Sequence, residues 1–190
     1  MSDKCLTLDE AEICVSTRRK EAKTDNGDNP SQWLKIIDYG SLDEFMKACK
    51  ELHKDEEEPE FIFYYSGGVP QLINSENHVN PILFELCAIC KGLDSEEREA
   101  FTNWCEYVTE SELEADSTSI KDKFNACFIG QFDSDVDFAY HVLDNTEDGI
   151  PSHIERYIDY SSCASDLLET EYYKCGKFYY RYYLTHEQED

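Results

Sequence analysis

Residues 41–65 read SLDEFMKACKELHKDEEEPEFIFYY and join a helix, an acidic loop and a strand. Ser41 with Glu44 three residues later is a capping-box pattern, which predicts that a helix begins here. The run of carboxylates after the helix ends at Pro59. Residues 60–65 are rich in aromatic side chains and predict a strand, because such residues favour a pleated, half-buried surface. This stretch therefore predicts a helix packed on a small sheet.

Two further strands are predicted before this stretch. Residues 11–17 and 32–38 are rich in apolar and β-branched side chains, and a turn-rich segment, 25–30, separates them. Together with residues 41–65 they predict an N-terminal domain, residues 1–77, made of an antiparallel sheet plus a helix.

The middle of the chain changes from strand to helix patterns. Asn80 and Pro81 are typical of a helix start, and Gly92 is typical of the end that follows. A second helix is predicted to begin at Asp94, and a short third one to cover 111–117. We therefore predict an acidic helical bundle over residues 78–119.

The last third returns to mixed structure and predicts a C-terminal sheet-plus-helix domain over residues 120–190. The predicted elements are a strand over 124–132, a helix from Ser134, helices over 152–157 and 160–168, and a hairpin of 171–175 with 178–184. The fold class is accordingly α+β: three small modules in a row, an antiparallel sheet plus helix, a helical mini-bundle, and an antiparallel sheet plus helices.

Net charge is the strongest compositional signal. The chain has 42 Asp and Glu against 17 Lys and Arg, a formal net charge of -25, with 41% hydrophobic residues. That hydrophobic content excludes a disordered acidic tail. Lys and Arg are absent between Lys54 and Lys91 and between Lys123 and Arg156, so folded elements there carry one sign of charge. Such a surface does not bind nucleic acid, which needs Lys and Arg opposite phosphates.

Location and redox state follow from two further observations. No apolar run is long enough to span a bilayer, and the first residues lead into no apolar signal segment, so we expect a cytoplasmic protein that does not interact with membranes. Nine cysteines, an odd number, favour reduced thiols over a disulfide framework.

Motifs for catalysis or metal binding are weak. Cys87 and Cys90 have CxxC spacing but lie in an apolar run without a second ligand pair, so buried thiols are the favoured interpretation. Asp133, Asp135 and Asp137 resemble the start of a calcium loop, but Phe138 stands where that loop needs glycine, and a helix N-terminus is favoured instead. We predict no enzyme activity, no metal and no cofactor.

Two functions are left by the residues alone, and neither is favoured over the other. One is an inhibitor that mimics nucleic acid: duplex DNA carries one charge per about 1.7 Å, so 25 charges match roughly 12 base pairs. The other is a generic acidic adaptor, or an inhibitor of a DNA-binding protein, whose target the residues do not specify.

Several segments resemble the ArdA antirestriction family. Near the N-terminus they are Gln32-Trp33-Leu34-Lys35-Ile36 and residues 51–63, and nearer the C-terminus they are Phe128-Ile129-Gly130, Ile150-Pro151 and Tyr157-Ile158-Asp159-Tyr160. The segments follow the family's order and together cover more than half of the chain.

The resemblance implies a cytoplasmic DNA mimic, encoded on mobile genetic elements, that occupies the DNA-binding groove of type I restriction-modification enzymes. It further implies an elongated chain of three domains and a homodimer formed through the last of them. Under this interpretation the predicted phosphate-mimicking carboxylates are Glu56, Glu57, Glu58, Glu106, Glu110, Glu112, Glu114, Asp133, Asp135, Asp137, Asp144 and Glu147.

One cluster departs from this pattern. Arg18, Arg19, Lys20 and Lys23 place four cations in the N-terminal turn, where the family is usually rich in Asn and Gly. Two roles are open for this basic cluster: contact with another part of the target, or pairing with Glu21 and Asp25.

Overall fold

The computed structural model describes residues 6–22, 32–109, 113, 118–145 and 150–182. They form an α+β fold with two small antiparallel sheets of three strands each, which confirms the predicted fold class. Contacts divide the chain into two compact units, Met1–Ser111 and Glu112–Asp190. The division into three modules, with boundaries after residues 77 and 119, stays a prediction.

The first unit contains the sheet of β1 (Glu12–Thr17), β2 (Gln32–Lys35) and β3 (Phe61–Tyr65). The order is β2-β1-β3 and both pairings are antiparallel. The predicted strand 32–38 is too long: Ile36–Asp38 form a 3-10 turn. The Ile36 amide still bonds to the Ala11 carbonyl in the β1–β2 register, and the ladder gives way there to a turn that is closed by the bond from the Tyr39 amide to the carbonyl of the fully buried Ile36.

Four helices accompany this sheet in the first unit: α1 (Arg18–Glu21), α2 (Leu42–Leu52), α3 (Ile82–Lys91) and α4 (Ser95–Cys105). Helix α2 begins as predicted, since the Ser41 hydroxyl accepts a hydrogen bond from the Glu44 amide. Phe45 of α2 lies against Phe63 of β3 and Phe84 of α3, with ring centroids 6.3 and 5.9 Å apart. The sheet, α2 and α3 therefore share one aromatic core.

The second unit contains α5 (Ile120–Cys127), β4 (Phe128–Gln131), α6 (Asp135–Asp144), α7 (Ser152–Glu155), α8 (Tyr160–Thr170), β5 (Tyr172–Cys175) and β6 (Phe178–Arg181). Its sheet has the order β4-β6-β5, and both pairings are antiparallel. The predicted hairpin of 171–175 with the following strand is confirmed, and Gly176 provides the positive φ of +60° that its turn requires.

The predicted strand 124–132 is wrong in its first part. Residues 124–127 belong to α5, which begins after Ser119, whose hydroxyl accepts from the Asp122 amide. Ile120, Lys123, Phe124 and Cys127 are buried at helical spacing. Burial of this helical face is the physical reason that the segment is not extended.

The core of the second unit is built from the tyrosine-rich end of the chain. Phe138 of α6 stacks on Tyr179 at 4.5 Å, and Tyr172 meets the edge of Phe138 at 5.3 Å. Tyr179 and Tyr180 are fully buried. The dense tyrosines of β5 and β6 thus serve mainly as core residues of this unit.

Candidate partner-binding surface

Exposed carboxylates occur on both units of the chain. In the first unit they include Asp38, Asp43, Glu44, Glu51, Asp55, Glu57, Glu58, Glu60, Glu76, Glu85, Asp94 and Glu96. In the second they include Asp122, Asp133, Asp137, Asp144, Asp159, Asp166, Glu169 and Glu171. The candidate site is therefore a surface property rather than a pocket with a few convergent groups.

The acidic loop, residues 55–60, connects α2 to β3 and contains five carboxylates. Glu57 and Glu58 are exposed, as predicted for partner-binding groups. Glu56 differs from them, because it is only 9% exposed and its Oε1 accepts a hydrogen bond from the Thr17 hydroxyl at 2.7 Å. Its carboxylate bonds the loop to the end of β1, and its role towards a partner stays a prediction.

The basic cluster lies beside the acidic loop. Lys20 Nζ is 2.8 Å from Asp55 Oδ1 and 2.8 Å from the His53 ring Nδ1. Arg18 Nε is 3.5 Å from Glu60 Oε2. Arg18, Arg19 and the loop glutamates line a shallow surface pocket. Residue spacing does not predict these contacts, because the partners are more than thirty residues apart in the sequence.

Pairing within the N-terminal turn was one of the two roles left open for this cluster. Glu21, one of its two expected partners, accepts a hydrogen bond from the Tyr64 hydroxyl at 2.6 Å. Asp25, the other one, lies outside the described residues, as does Lys23 of the cluster itself. The other partners lie far apart in the sequence: Arg18 pairs with Glu60 and donates to Asn77 Oδ1, and Lys20 pairs with Asp55.

Two titrating groups of this region have shifted pKa values. The hydrogen bond from Lys20 lowers the pKa of Asp55, since it favours the ionised carboxylate. Burial, and then the nearby Lys20 charge, lower the pKa of His53, since both disfavour the imidazolium. His53 is fully buried, and its Nε2 has no hydrogen-bond partner among the described residues. The ring is therefore neutral near pH 7.

The start of α6 brings together the second group of predicted carboxylates. Asp133 is exposed just before the helix. The Asp137 amide donates to Ser134 Oγ at 3.1 Å, and the Ser134 hydroxyl donates to the Asp137 carboxylate. Asp135 accepts from Lys174 Nζ and from the Tyr179 hydroxyl. These two bonds, with that from Lys174 the larger cause, lower the pKa of Asp135.

These contacts also bear on the calcium-loop alternative for the same three aspartates. Asp135 and Asp137 are bonded to side chains of the protein, and each lies at the start of a helix, where carboxylates complement the helix dipole. Among the described residues, no group of three or more His, Cys, Asp or Glu side chains could hold a metal ion. The arrangement matches the helix N-terminus that the sequence favoured.

The other predicted carboxylates lie apart from these two groups. Asp144 is exposed at the end of α6, where its charge contributes, after that of Glu155, to raising the pKa of Tyr140. Glu106 is half-buried after α4, and its Oε2 accepts from the Gln71 amide at 3.3 Å. Four predicted residues lie outside the described part of the chain: Glu110, Glu112, Glu114 and Glu147.

The CxxC cysteines are buried thiols. Cys87 donates to the Leu8 carbonyl at 3.2 Å, and burial raises its pKa to about 12. Cys90 is also buried, and burial raises its pKa. Reactive cysteines need a lowered pKa and solvent access, so these two residues act as packing groups.

The helices of the described residues are short. None of them combines the length and apolar character that crossing a bilayer would need.

Comparison with known proteins gave one match. A family model described as Antirestriction protein (ArdA) matches residues 22–179, well over half of the chain. Neither the comparison with curated proteins nor the comparison with solved structures returned a match. The matched range includes the acidic loop, α6 and both sheets of the described chain except β1 and the last residues of β6.

Proposed function

Because the chain belongs to the ArdA family of antirestriction proteins, we propose that it inhibits type I restriction-modification enzymes by taking the place of DNA in their DNA-binding groove. The family is one of inhibitors rather than of enzymes, and its name implies an interaction with restriction-modification enzymes. In the proposed mechanism, carboxylates of this chain occupy the positions of DNA phosphates, and incoming mobile DNA is protected because the groove is filled.

The excess of exposed carboxylates over exposed cations is the observation that carries this proposal. A DNA-binding groove is lined by Lys and Arg, which neutralise phosphates and release counterions. The net charge of -25 is spread along a folded chain rather than collected in a tail, and exposed carboxylates lie on both units. A rigid display of negative charge suits a groove that normally holds a rigid, uniformly charged duplex.

The carboxylates that we propose as phosphate mimics are those with solvent access. Among the predicted residues they are Glu57, Glu58, Asp133, Asp137 and Asp144, with Glu106 half-exposed. Glu56 and Asp135 act instead by holding neighbouring segments. Glu110, Glu112, Glu114 and Glu147 remain part of the proposal from sequence alone.

We further propose a cytoplasmic homodimer formed through the C-terminal module, residues 120–190. Large side chains with substantial exposure in this region support the proposal: Val136, Tyr140, Ile154 and Tyr157. Covering such groups is the usual driving force for a stable dimer. Sedimentation equilibrium of the full chain tests this, and a single species with the mass of one 22.1 kDa chain at all concentrations would contradict it.

The main experiment measures binding to the methyltransferase core of a type I enzyme at increasing salt concentrations. Duplex DNA with about six phosphate contacts would lose roughly a thousandfold in affinity between 50 and 200 mM salt. Carboxylates on a folded protein are less densely spaced, so we expect a smaller but steep loss of about tenfold or more. A flat response would contradict mimicry.

Competition with DNA separates the proposal from the generic acidic adaptor. A mimic displaces labelled duplex DNA from the methyltransferase core, and excess duplex displaces the mimic in turn. An adaptor that binds elsewhere forms a ternary complex with enzyme and DNA. An unrelated folded protein of similar net charge is the control, because it reports the nonspecific electrostatic part of the displacement.

A further inference from the structure

Three contacts from the end of β1 and from α1 lead to one short segment. Thr17, Arg18 and Lys20 each bind a residue of the loop that follows α2: Thr17 binds Glu56, Arg18 binds Glu60 and Lys20 binds Asp55. Lys20 is less exposed than Arg18: 17% of the Lys20 side chain is exposed to solvent, against 60% of the Arg18 side chain. A lysine in this position has little surface left to offer a partner.

We infer that Lys20, supported by Thr17 and Arg18, is a positioning residue that clamps the acidic loop in the conformation the partner meets, and that Lys20 acts within the chain rather than on the partner. This inference rests on the proposed function. It assigns to Lys20 a role that increases the effect of nearby carboxylates, although its own charge is opposite to theirs.

Repulsion within the loop is the physical reason that a clamp is needed. Five carboxylates in six residues repel one another, and the loop itself forms no helix or strand, although the Glu60 carbonyl at its end accepts a hydrogen bond from the Arg18 amide at 3.0 Å. The Glu56 amide bonds to the His53 carbonyl at 3.0 Å, which forms one turn. The Lys20 ammonium adds a charge-assisted bond on one side of this turn, and Thr17 adds one to Glu56 on the other. Glu57 and Glu58 are then held outward.

His53 belongs to the clamp because its ring accepts the second bond of Lys20. The charged groups that face the ring are Lys20 from α1 and Asp55 and Glu56 from the loop, while Phe61 of β3 packs against it at 5.9 Å. An ammonium donates to a neutral ring nitrogen but is repelled by an imidazolium. Protonation of His53 therefore opposes the bond that Lys20 makes.

The direction in which one mutation changes binding affinity distinguishes a clamp from a simple effect of charge. Lys20→Met removes a cation and makes the chain more negative, so electrostatics alone would tighten its binding to a cationic groove. A clamp predicts weaker binding, by about threefold to tenfold, which corresponds to about 0.7–1.4 kcal/mol, the range of one typical intramolecular hydrogen bond. Lys47→Met, at an exposed position of α2 in the same unit, is the matched control and should bind as well as wild type or slightly better.

A double-mutant cycle separates a clamp from direct contact with the partner. If Lys20 acts through Asp55, then Lys20→Met should cost much less affinity in an Asp55→Asn background than in wild type. Lys20→Arg, which keeps the charge, should recover most of the binding. Additive losses for Lys20→Met and Asp55→Asn would overturn the inference, and so would tighter binding by Lys20→Met.

Two measurements on the free protein test the clamp without any restriction enzyme. NMR titration should give His53 a higher pKa in Lys20→Met than in wild type, because a neighbouring positive charge is removed. Hydrogen exchange at the Glu56 amide should be faster in Lys20→Met and unchanged in Lys47→Met. If wild type does not bind the methyltransferase core, the proposed function fails, and these two measurements alone decide whether the clamp exists. An unchanged His53 pKa together with unchanged exchange overturns it.

Discussion

The acidic loop and the start of α6 are both rich in carboxylates but hold them in different ways. In the loop, Asp55 and Glu56 are bound by side chains of β1 and α1, which lie more than thirty residues earlier in the chain. At the start of α6, Asp137 and Ser134 form a local cap within four residues. Only Asp135 reaches a distant partner there, on β5 and β6.

This difference shows that negative charge in this chain serves two purposes at once. In each region at least one carboxylate is committed to structure, chiefly Glu56 in the loop and Asp135 in α6, while the neighbouring Glu57 and Asp133 are exposed. In the loop these contacts come from side chains far away in the sequence, whereas the α6 start depends mainly on its own helix N-terminus, so the two regions should respond differently to mutation and to pH.

The largest expected effect comes from the committed carboxylate of the loop. Glu56→Ala leaves the buried Thr17 hydroxyl without its acceptor, which should lower the free energy of unfolding by about 1–3 kcal/mol. Glu57→Ala is the matched control, one residue away and exposed, and should leave stability nearly unchanged. Urea unfolding followed by circular dichroism measures both. Equal effects of the two variants would remove the distinction between committed and exposed carboxylates in the loop.

The equivalent substitution in α6 should have a somewhat smaller effect. Asp135→Ala removes the acceptor of the Tyr179 hydroxyl and the partner of Lys174, but solvent reaches this site and can replace part of both bonds. We expect a loss of about 1–2 kcal/mol in the same unfolding experiment. Asp133→Ala, at the exposed neighbouring position, is the control. A loss larger than that of Glu56→Ala would reverse the order of the two regions.

Local signals explain how much of this fold could be predicted from the sequence. The start of α2 at Ser41 and the hairpin turn at Gly176 follow from groups that lie within four residues of each other. The prediction of a strand at Phe124 to Cys127, which belong to α5, was wrong because a short apolar run fits a strand and a buried helix equally well. Whether the segment forms a helix or a strand depends on how its apolar face packs against the rest of the unit. A local sequence pattern does not contain that information.

The negative charge of the candidate surface could be predicted from the sequence. Which carboxylates are exposed and which bond to other side chains could not. Sequence spacing placed Glu56 with Glu57 and Glu58 because the three residues are chemically identical and adjacent. Their difference is created by Thr17, thirty-nine residues earlier, and by the antiparallel pairing of β1 with β3, in which Thr17 lies opposite Phe61. The role of Lys20 was hidden for the same reason, since its partners meet it only after the sheet has formed.

The helix cap of α6 offers a test of the local mechanism. Ser134→Ala removes the hydroxyl that accepts from the Asp137 amide, and caps of this kind contribute about 1 kcal/mol. Ser134→Asp keeps an acceptor at the cap and should retain most of the stability, so it serves as the control. Equal free energies of unfolding for Ser134→Ala and Ser134→Asp would mean that the cap does not stabilise α6.

The pH dependence of stability at mildly acidic pH should come mainly from His53, the buried partner of Lys20. The folded-state pKa of His53 is lowered, so the unfolded chain binds the proton more readily, and stability is lost as pH falls below the unfolded value of about 6.5. For one proton the slope is at most about 1.4 kcal/mol per pH unit. The lowered pKa of Asp135 acts in the same direction, but only at more acidic pH.

His53→Gln should flatten the stability profile between pH 7 and 5, because glutamine does not titrate. Stability measured by urea unfolding at several pH values, with His78→Gln as an exposed control, tests this contribution. A profile for His53→Gln that is as steep as that of wild type would assign the acid sensitivity to other groups.

The smallest expected effect is that of neutralising one exposed carboxylate on inhibition. Glu57→Gln and Asp133→Asn each remove one of many exposed negative charges, so the affinity for the methyltransferase core should fall by less than about fivefold, the most that one exposed ion pair usually contributes. The double variant should show the sum of the two effects, since the residues belong to different units. If Glu57→Gln alone abolished inhibition, the loop would be a specific contact site and the surface would not act as a distributed mimic. That outcome would also reverse the comparison, because the exposed carboxylate of the loop would then matter more than the clamp that positions it.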